Sequence, residues 1–368
     1  MSLLFNIKDI LNYKIIAKME DKNFKLGEVE IFRTMSDCFK ENNSNENKTS
    51  SALIGIEEAH QRIKVTYKSP ALNNFKVEKE IADLMFICND EIHNNIRISF
   101  MQAKLKEGKK RDAVPLRKFK GDYFQWELLH ERPANMITAK PNEPAAILLK
   151  NIFEEELLYR SISCFGVFYR DIYGQIDMLY AIPELVSPMS IPSIKEDDAV
   201  PSAERTFIPH HLTPYYSIEQ DYCWGPLHVP VSFTPDDPFF ALPKIMIYMN
   251  GINNHWIDLS SKPPEIIYTH DINKFAEYML KGLIGLPIAG KSKLVKGLKD
   301  YIPVLKKHAD SDADSEVLDK LQTSLSKLEQ GNNNETNSNK NDAGGIIPTN
   351  DASGIIPTMV INITNHQD

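Results

Sequence analysis

The chain has 368 residues, a net charge of −8, 42% hydrophobic and 25% charged residues, and four cysteines. No run approaches the roughly 18 to 20 apolar residues that a membrane span needs, and the overall acidity is not that of a protein that only coats nucleic acid. Cys38, Cys88, Cys164 and Cys223 are widely spaced with no CxxC pair, which argues against a disulfide scaffold and points to a reducing cytoplasm.

The start, "MSLLFNIKDILNYKII", has apolar pieces broken by Asn, Lys and Asp, not the unbroken apolar core of a signal peptide. Residues 1–40 predict mixed structure ending in a helix near "LGEVEIFRTMSDCFK". Residues 41–51, "ENNSNENKTSS", read as a polar loop. "ALIGIEEAHQ" reads as a helix carrying Glu57 and Glu58, and "RIKVTYKS" alternates as a strand. After a turn at "ALNNF", the β-rich runs "KVEKEIADLMFIC" and "NIRISFMQAKL" are joined by "NDEIHN", which predicts a hairpin. "GDYFQWELLHE" is a helix limited by Pro133.

Residues 144–165 predict another helix, and "CFGVFYRDIYGQIDMLYAI" a hairpin turning near Asp171 to Gly174. Residues 183–243 are proline-rich and loop-like; "KIMIYMNGINNHWIDLSS" restores strand character around an Asn-Gly turn. Three helices follow, the last with Val317, Leu318, Leu321, Leu325 and Leu328 on one stripe. The end carries a tandem duplication, "NDAGGIIPT" then "NDASGIIPT", and one terminal strand, "MVINIT". The chain thus divides into a core at 1–140, a mixed then helical extension at 141–329, and a flexible tail at 330–368.

Asp83 lies inside an apolar run, where a carboxylate is costly unless paired or bound to a cation. Gln102 and Lys104 follow nineteen and twenty-one residues later on the next strand. A spacing of two puts both on one strand face. Across one turn, Asp83 and Gln102 reach one ion, with Lys104 on the same side and Glu57 or Glu58 adding a carboxylate. Phosphodiester hydrolysis needs such a set: oxygens to hold Mg2+ while leaving it waters, and a cation to orient the nucleophile. Lys104, Lys106, Lys109, Lys110, Arg111, Arg117, Lys118 and Lys120 lie within seventeen residues. That run suits a phosphate backbone or is a solvated charged loop.

This layout resembles the PD-(D/E)xK, restriction-endonuclease-like superfamily in its Gln-x-Lys variant, over roughly residues 50–135. The resemblance implies an α/β (α+β) fold: a mixed sheet with flanking helices, here with a loop-rich and helical C-terminal extension. It implies Asp83, Gln102 and Glu58 as ligands of Mg2+ or Mn2+, and Lys104 as the residue that positions the attacking water. It places Gln125 near the site, with Lys106, Lys109, Lys110 and Arg111 on nucleic acid, DNA in preference to RNA. A cytoplasmic nuclease of bacterial defence or restriction is the expected role. The alternative is an inactive binding or assembly subunit that recruits nucleic acid or a protein, or self-associates through its C-terminal region. Neutral Gln102 departs from the acidic pattern and weakens Mg2+ binding unless Glu57 or Glu58 compensates.

Two other patterns carry less. "GLPIAGKS", residues 285–292, matches GxxxxGK[ST] but follows a helical run rather than a buried strand. His210, His211, His228 and His255 lack the spacing of a zinc site.

Overall fold

In the computed structural model, side chains alternating along one central hairpin sort onto two separate apolar layers. The structure describes residues 6–22, 24–41, 47–58, 62–106, 118–132, 136–138, 140–154, 160–192, 202–209, 247–249, 256–258, 265–333 and 354–365. The chain begins with α1 (Ile7–Lys18), α2 (Glu28–Glu41) and β1 (Asn47–Ile54). There follow β2 (Lys64–Ser69), β3 (Phe75–Glu80), β4 (Leu84–Asp90), β5 (Asn95–Leu105), β6 (Phe119–Asp122), α3 (Tyr123–Glu131) and β7 (Ile137–Thr138). Next come α4 (Pro144–Glu154), β8 (Ser163–Arg170), β9 (Ile176–Ala181), β10 (Val186–Pro188), β11 (Glu204–Pro209), β12 (Ile247–Met249) and β13 (Trp256–Asp258). The last elements are β14 (Glu265–Thr269), α5 (Ile272–Leu280), β15 (Leu286–Pro287), α6 (Ser292–Lys307), α7 (Asp312–Asn333) and β16 (Thr358–Asn365).

The protein is mixed α/β. A ten-stranded mixed sheet runs β1-β16-β4-β5-β8-β9-β14-β13-β12, with β15 also on β5. Two small sheets, β10-β11-β6 and β3-β2-β7, complete the described strands. The main sheet takes strands from all three segments that the sequence suggests. Its pairings are antiparallel for β4–β5 and β8–β9, and parallel for β5–β8 and β16–β4.

Leu84, Phe86, Cys88, Met101 and Ala103 pack with α1, α2 and α5 on one face. Met85, Ile87, Ile98 and Phe100 pack with α4, α6 and α7 on the other. Both faces are covered, so these strands read as continuous apolar runs. The stripe Val317, Leu318, Leu321, Leu325 and Leu328 of α7 is buried as its periodicity predicts.

Three expectations are corrected. "ALIGIEEAHQ" is not a helix: its first residues end β1, and Gly55 turns the chain at φ 69. The polar residues 47–51 belong to that strand, not to a loop. Their partner, β16, lies more than 300 residues away, from Asn47↔Asn365 to Ile54↔Thr358, so no local pattern announces the pairing. The run "KVEKEIADLMFIC" is two strands in different sheets, broken at Ile81 to Asp83.

"GLPIAGKS" is no phosphate cradle. Leu286 pairs with Ile98, and the Ile288 N–H donates to the Ile96 carbonyl at 3.0 Å, so loop N–H groups are used in the sheet. The four histidines lie outside the described residues, as does Cys223. Burial pushes the Cys88 and Cys164 thiols up, which makes both inert.

The terminal strand is buried from Thr358 to Ile363, with Met359, Val360, Ile361 and Ile363 all core residues. Ile361→Ala is expected to cost about 2–5 kcal/mol, as a cavity in a packed core does, whereas Thr364→Ala at the rim should shift stability by about 0.5 kcal/mol or less. Urea denaturation of the two variants checks this.

Candidate functional site

The site stands where β4 begins and β5 ends. Phe100 faces the layer of α4, α6 and α7, so Gln102 and Lys104, two and four residues on, share that face. Asp83 precedes β4 and is drawn across to β5: its backbone N–H donates to the Met101 carbonyl at 3.1 Å. Its Oδ2 accepts from the Ala103 N–H at 2.8 Å and from the Gln102 side-chain amide, and lies 3.8 Å from Lys104 Nζ. The three residues expected to converge therefore do so.

A second cation stands on the other oxygen. Arg62 Nη1 is 4.0 Å from Asp83 Oδ1 and donates to Glu80 at 3.1 Å. Arg62 is fixed through its neighbour, since the Ile63 N–H donates to the Ile355 carbonyl at 3.1 Å. Glu28, in the first turn of α2, accepts from the Leu105 N–H at 2.8 Å, and its charge is felt by Asp83. Sequence reasoning missed Arg62, Glu80 and Glu28. The only local signal for Glu28 is an acid opening a helix, and its contact with Leu105 spans 77 residues.

Glu58 and Glu57 are elsewhere. They follow β1 in a turn; Glu58 lies 3.5 Å from His308, and Glu57 pairs with Arg33. Neither makes a hydrogen bond or ion pair with Asp83 among the described residues. Nor does Gln125 make a hydrogen bond with Asp83 among the described residues; its backbone N–H donates to the Asp122 carboxylate that caps α3. Of the basic run, Lys106 continues the ladder through its N–H to the Phe168 carbonyl at 2.8 Å, and Lys120 pairs with Glu204 at 2.9 Å. Lys109, Lys110 and Arg111 lie outside the described residues.

Asp83 is about one-fifth exposed. Burial raises its carboxyl to about 6 against the lowering pull of Lys104, while Glu28 adds to the rise and the Ala103 N–H and Arg62 oppose it. An ordinary Asp is near 3.9, so Asp83 is a carboxylate at pH 7 held at a free-energy cost.

Gln102 is fully buried, and its Oε1 has no hydrogen-bond partner while its Nε2 donates to Asp83. An orphaned buried acceptor is destabilising. A half-turn of the amide would present Oε1 where Nε2 now stands, beside the carboxylate. Both features fit a divalent cation of the magnesium type, which takes one or two protein carboxylates and keeps places for water and phosphate. Asp83 and Gln102 are the oxygens that would hold it, with Glu28 as the nearby second negative charge. Among the described residues, no group of three His, Cys, Asp or Glu side chains makes a closed metal cage.

Comparisons with known proteins bring no likeness. No protein-family model, curated protein or solved structure matches the chain. The functional reading therefore rests on this cluster.

The sign of the Asp83 shift gives a stability test. A carboxyl raised in the folded state binds its proton more tightly there, so its contribution is full below the unfolded value and is lost as pH rises toward about 6. Relative to Asp83→Asn, the wild-type protein is expected to lose about 1–3 kcal/mol between roughly pH 4 and 6 and to change little above. Urea denaturation across that range measures it; a gain of relative stability with rising pH would mean that Arg62 and Lys104 outweigh burial.

Proposed function

We propose that the chain is a metal-dependent nuclease that hydrolyses phosphodiester bonds, with a restriction-endonuclease-like core around the β4–β5 hairpin. The observation that carries this is the meeting of Asp83, Gln102 and Lys104 in one half-buried cluster, with the Gln102 oxygen lacking a partner. Mg2+ or Mn2+ would polarise the phosphate and acidify a bound water.

The chain's own residues do the rest. Asp83, ionised above about pH 6, supplies the anionic oxygens. Gln102 supplies a neutral oxygen, which keeps the site's charge low enough to admit a phosphate. Lys104 Nζ, 3.8 Å from Asp83 and so paired with it by charge and not by a hydrogen bond, has three N–H donors that would hold the attacking water or a phosphate oxygen. Arg62, anchored on Glu80, stands opposite and neutralises charge that grows on the phosphate. DNA is the proposed substrate in preference to RNA, in bacterial defence or restriction, as the sequence resemblance implies.

Two measurements test this. The wild-type protein should cleave DNA or RNA when Mg2+ or Mn2+ is added, and Lys104→Ala should lower the rate at least about 100-fold, the usual cost of removing a charge-stabilising group. The same ions should raise the melting temperature of the wild type and not of Asp83→Asn. Stabilisation without cleavage of either polymer would favour the binding-subunit alternative; neither effect would overturn the assignment.

A further inference from the structure

The hairpin β2–β3 has one wet face, and that face leads to the candidate site. Burial alternates along it: Val65, Tyr67 and Val77 point into the core, while Lys64, Lys68, Lys76 and Glu78 are exposed. The register places Lys64 opposite Glu80, Thr66 opposite Glu78 and Lys68 opposite Lys76. Those six side chains therefore share the outer face. Arg62, two residues before Lys64, reaches the same face: its Nη1 donates to Glu80 at 3.1 Å and lies 4.0 Å from Asp83 Oδ1. The inner face is fixed to α3 by Tyr67, whose hydroxyl lies 2.8 Å from the Phe124 carbonyl and 3.0 Å from the Glu127 carboxylate.

The charges on the outer face do not balance. Arg62, Lys64, Lys68 and Lys76 stand against two carboxylates, Glu78 and Glu80, on a chain whose net charge is −8. Arg62 holds Glu80, and Glu78 lies 3.5 Å from Lys64. Lys68 and Lys76 make no ion pair or hydrogen bond among the described residues. They stand directly opposite each other, where Cβ atoms are about 4.5–5.5 Å apart and like charges destabilise the ladder. An anion between them removes that repulsion. Lys68 stands four residues beyond Lys64 along β2, about 13 Å, so the cations form a row leading from the site. A small anion meets one point of such a row. A duplex, with a charge every about 1.7 Å of its axis, meets all of it. The two strands offer only charged residues and Thr66 on this face, which lacks the apolar centre of a protein interface.

We propose that the outer face of β2–β3 is where the sugar–phosphate backbone of a DNA duplex lies. Lys68 and Lys76 clamp phosphates at the far end, Lys64 holds the middle of the row, and Arg62 brings the strand to Asp83 and Lys104. The inference deepens the nuclease reading and rests on it for the choice of DNA as the polyanion. Lysine contacts to phosphate position a duplex and carry no sequence information, so this face sets where the strand lies and not which bases are cut. It is separate in sequence from the basic run that follows β5, and Lys68 and Lys76 are brought together only by the hairpin register.

Fluorescence anisotropy of a labelled DNA duplex, titrated in EDTA at several salt concentrations, tests this apart from cleavage, since phosphate contacts by lysine need no metal. Lys68→Gln/Lys76→Gln should weaken binding at least about 10-fold near 0.1 M salt and lower the slope of log Kd against log salt by about 2. Glu78→Gln, which removes an acid from the same face, should tighten binding about 3-fold. Lys296→Gln/Lys327→Gln, exposed lysines of α6 and α7, should change neither affinity nor slope. The hairpin double variant should melt no lower than the wild type, because it relieves a like-charge pair. The proposal is overturned by a wild type that binds no duplex, by a hairpin variant with unchanged affinity and slope, or by an equal loss in the α6–α7 variant. Cleavage in Mg2+ with an unchanged slope in the hairpin variant would sink this face and spare the nuclease. Binding through the hairpin with no cleavage in Mg2+ or Mn2+ would support the face and count against the nuclease.

Discussion

The structure depends on a strand from the far end of the chain. β16 lies between β1 and β4, antiparallel to one and parallel to the other. Without it, β1 has no ladder partner and β4 has an open edge. The approach to the strand also fixes the candidate site. The Pro357 carbonyl accepts the Met85 N–H at 2.7 Å, two residues from Asp83, and the Ile355 carbonyl accepts the Ile63 N–H, next to Arg62. One short segment, residues 354–358, thus holds in place the carboxylate and one of the two cations that flank it. Tyr301 closes this segment from α6, donating to the Ile356 carbonyl at 3.1 Å and accepting the Ile356 N–H at 2.9 Å.

The arrangement around Asp83 is electrostatically unfinished. Burial opposes its charge, Lys104 and Arg62 favour it, and Glu28 and Glu80 offset part of those cations. A purely structural ion pair of this sort is weak grounds for stability, because desolvation cancels most of the attraction. An unpaired Gln102 oxygen beside it adds a further cost. Two other buried carboxylates are well satisfied, since Glu127 accepts from the Tyr67 hydroxyl and the Ala71 N–H, and Asp177 accepts from Lys8, Met178 and Ile272, whereas Glu91, Glu184 and Asp314 each keep one buried oxygen without a hydrogen-bond partner. The Asp83 cluster is set apart by what meets there, a carboxyl raised by burial, two cations and an orphaned amide oxygen, rather than by the lack of a partner alone.

What was legible in the sequence is what depends on neighbours in sequence. Alternation along β5 and the short connector before it revealed the hairpin, and spacing alone put Gln102 and Lys104 on one face. A carboxylate in an apolar run singled out Asp83. What was illegible depends on distant partners. Polar residues 47–51 form a strand because β16 is there to receive them. Glu57 and Glu58 stood on the stretch that reads as a preceding helix, yet the chain turns at Gly55 and carries them to Arg33 and His308. Glu28 arrives instead from a helix that no local pattern ties to β5.

The tandem duplication shows how such a distant pairing is kept in register. Both copies contain Gly-Ile-Ile-Pro-Thr, and the second supplies Gly354, Ile355 and Ile356 to the core. Gly354 is required there, since a Cβ would stand 2.7 Å from Ile63 and 2.9 Å from Glu143. The first copy has the same five residues, so they do not discriminate. The residues that follow do. With the first copy in the slot, Asn350, Asp351 and Ala352 would take the places of Met359, Val360 and Ile361. Val360 is fully buried, and a carboxylate in its place would lose its hydration with no partner provided. The eight-residue ladder and the buried Asn362–Asn89 hydrogen bond at 2.8 Å select the second copy. Register is therefore set by the strand's own side chains, and the repeat before it is tolerated because only one of its copies leads into an apolar strand.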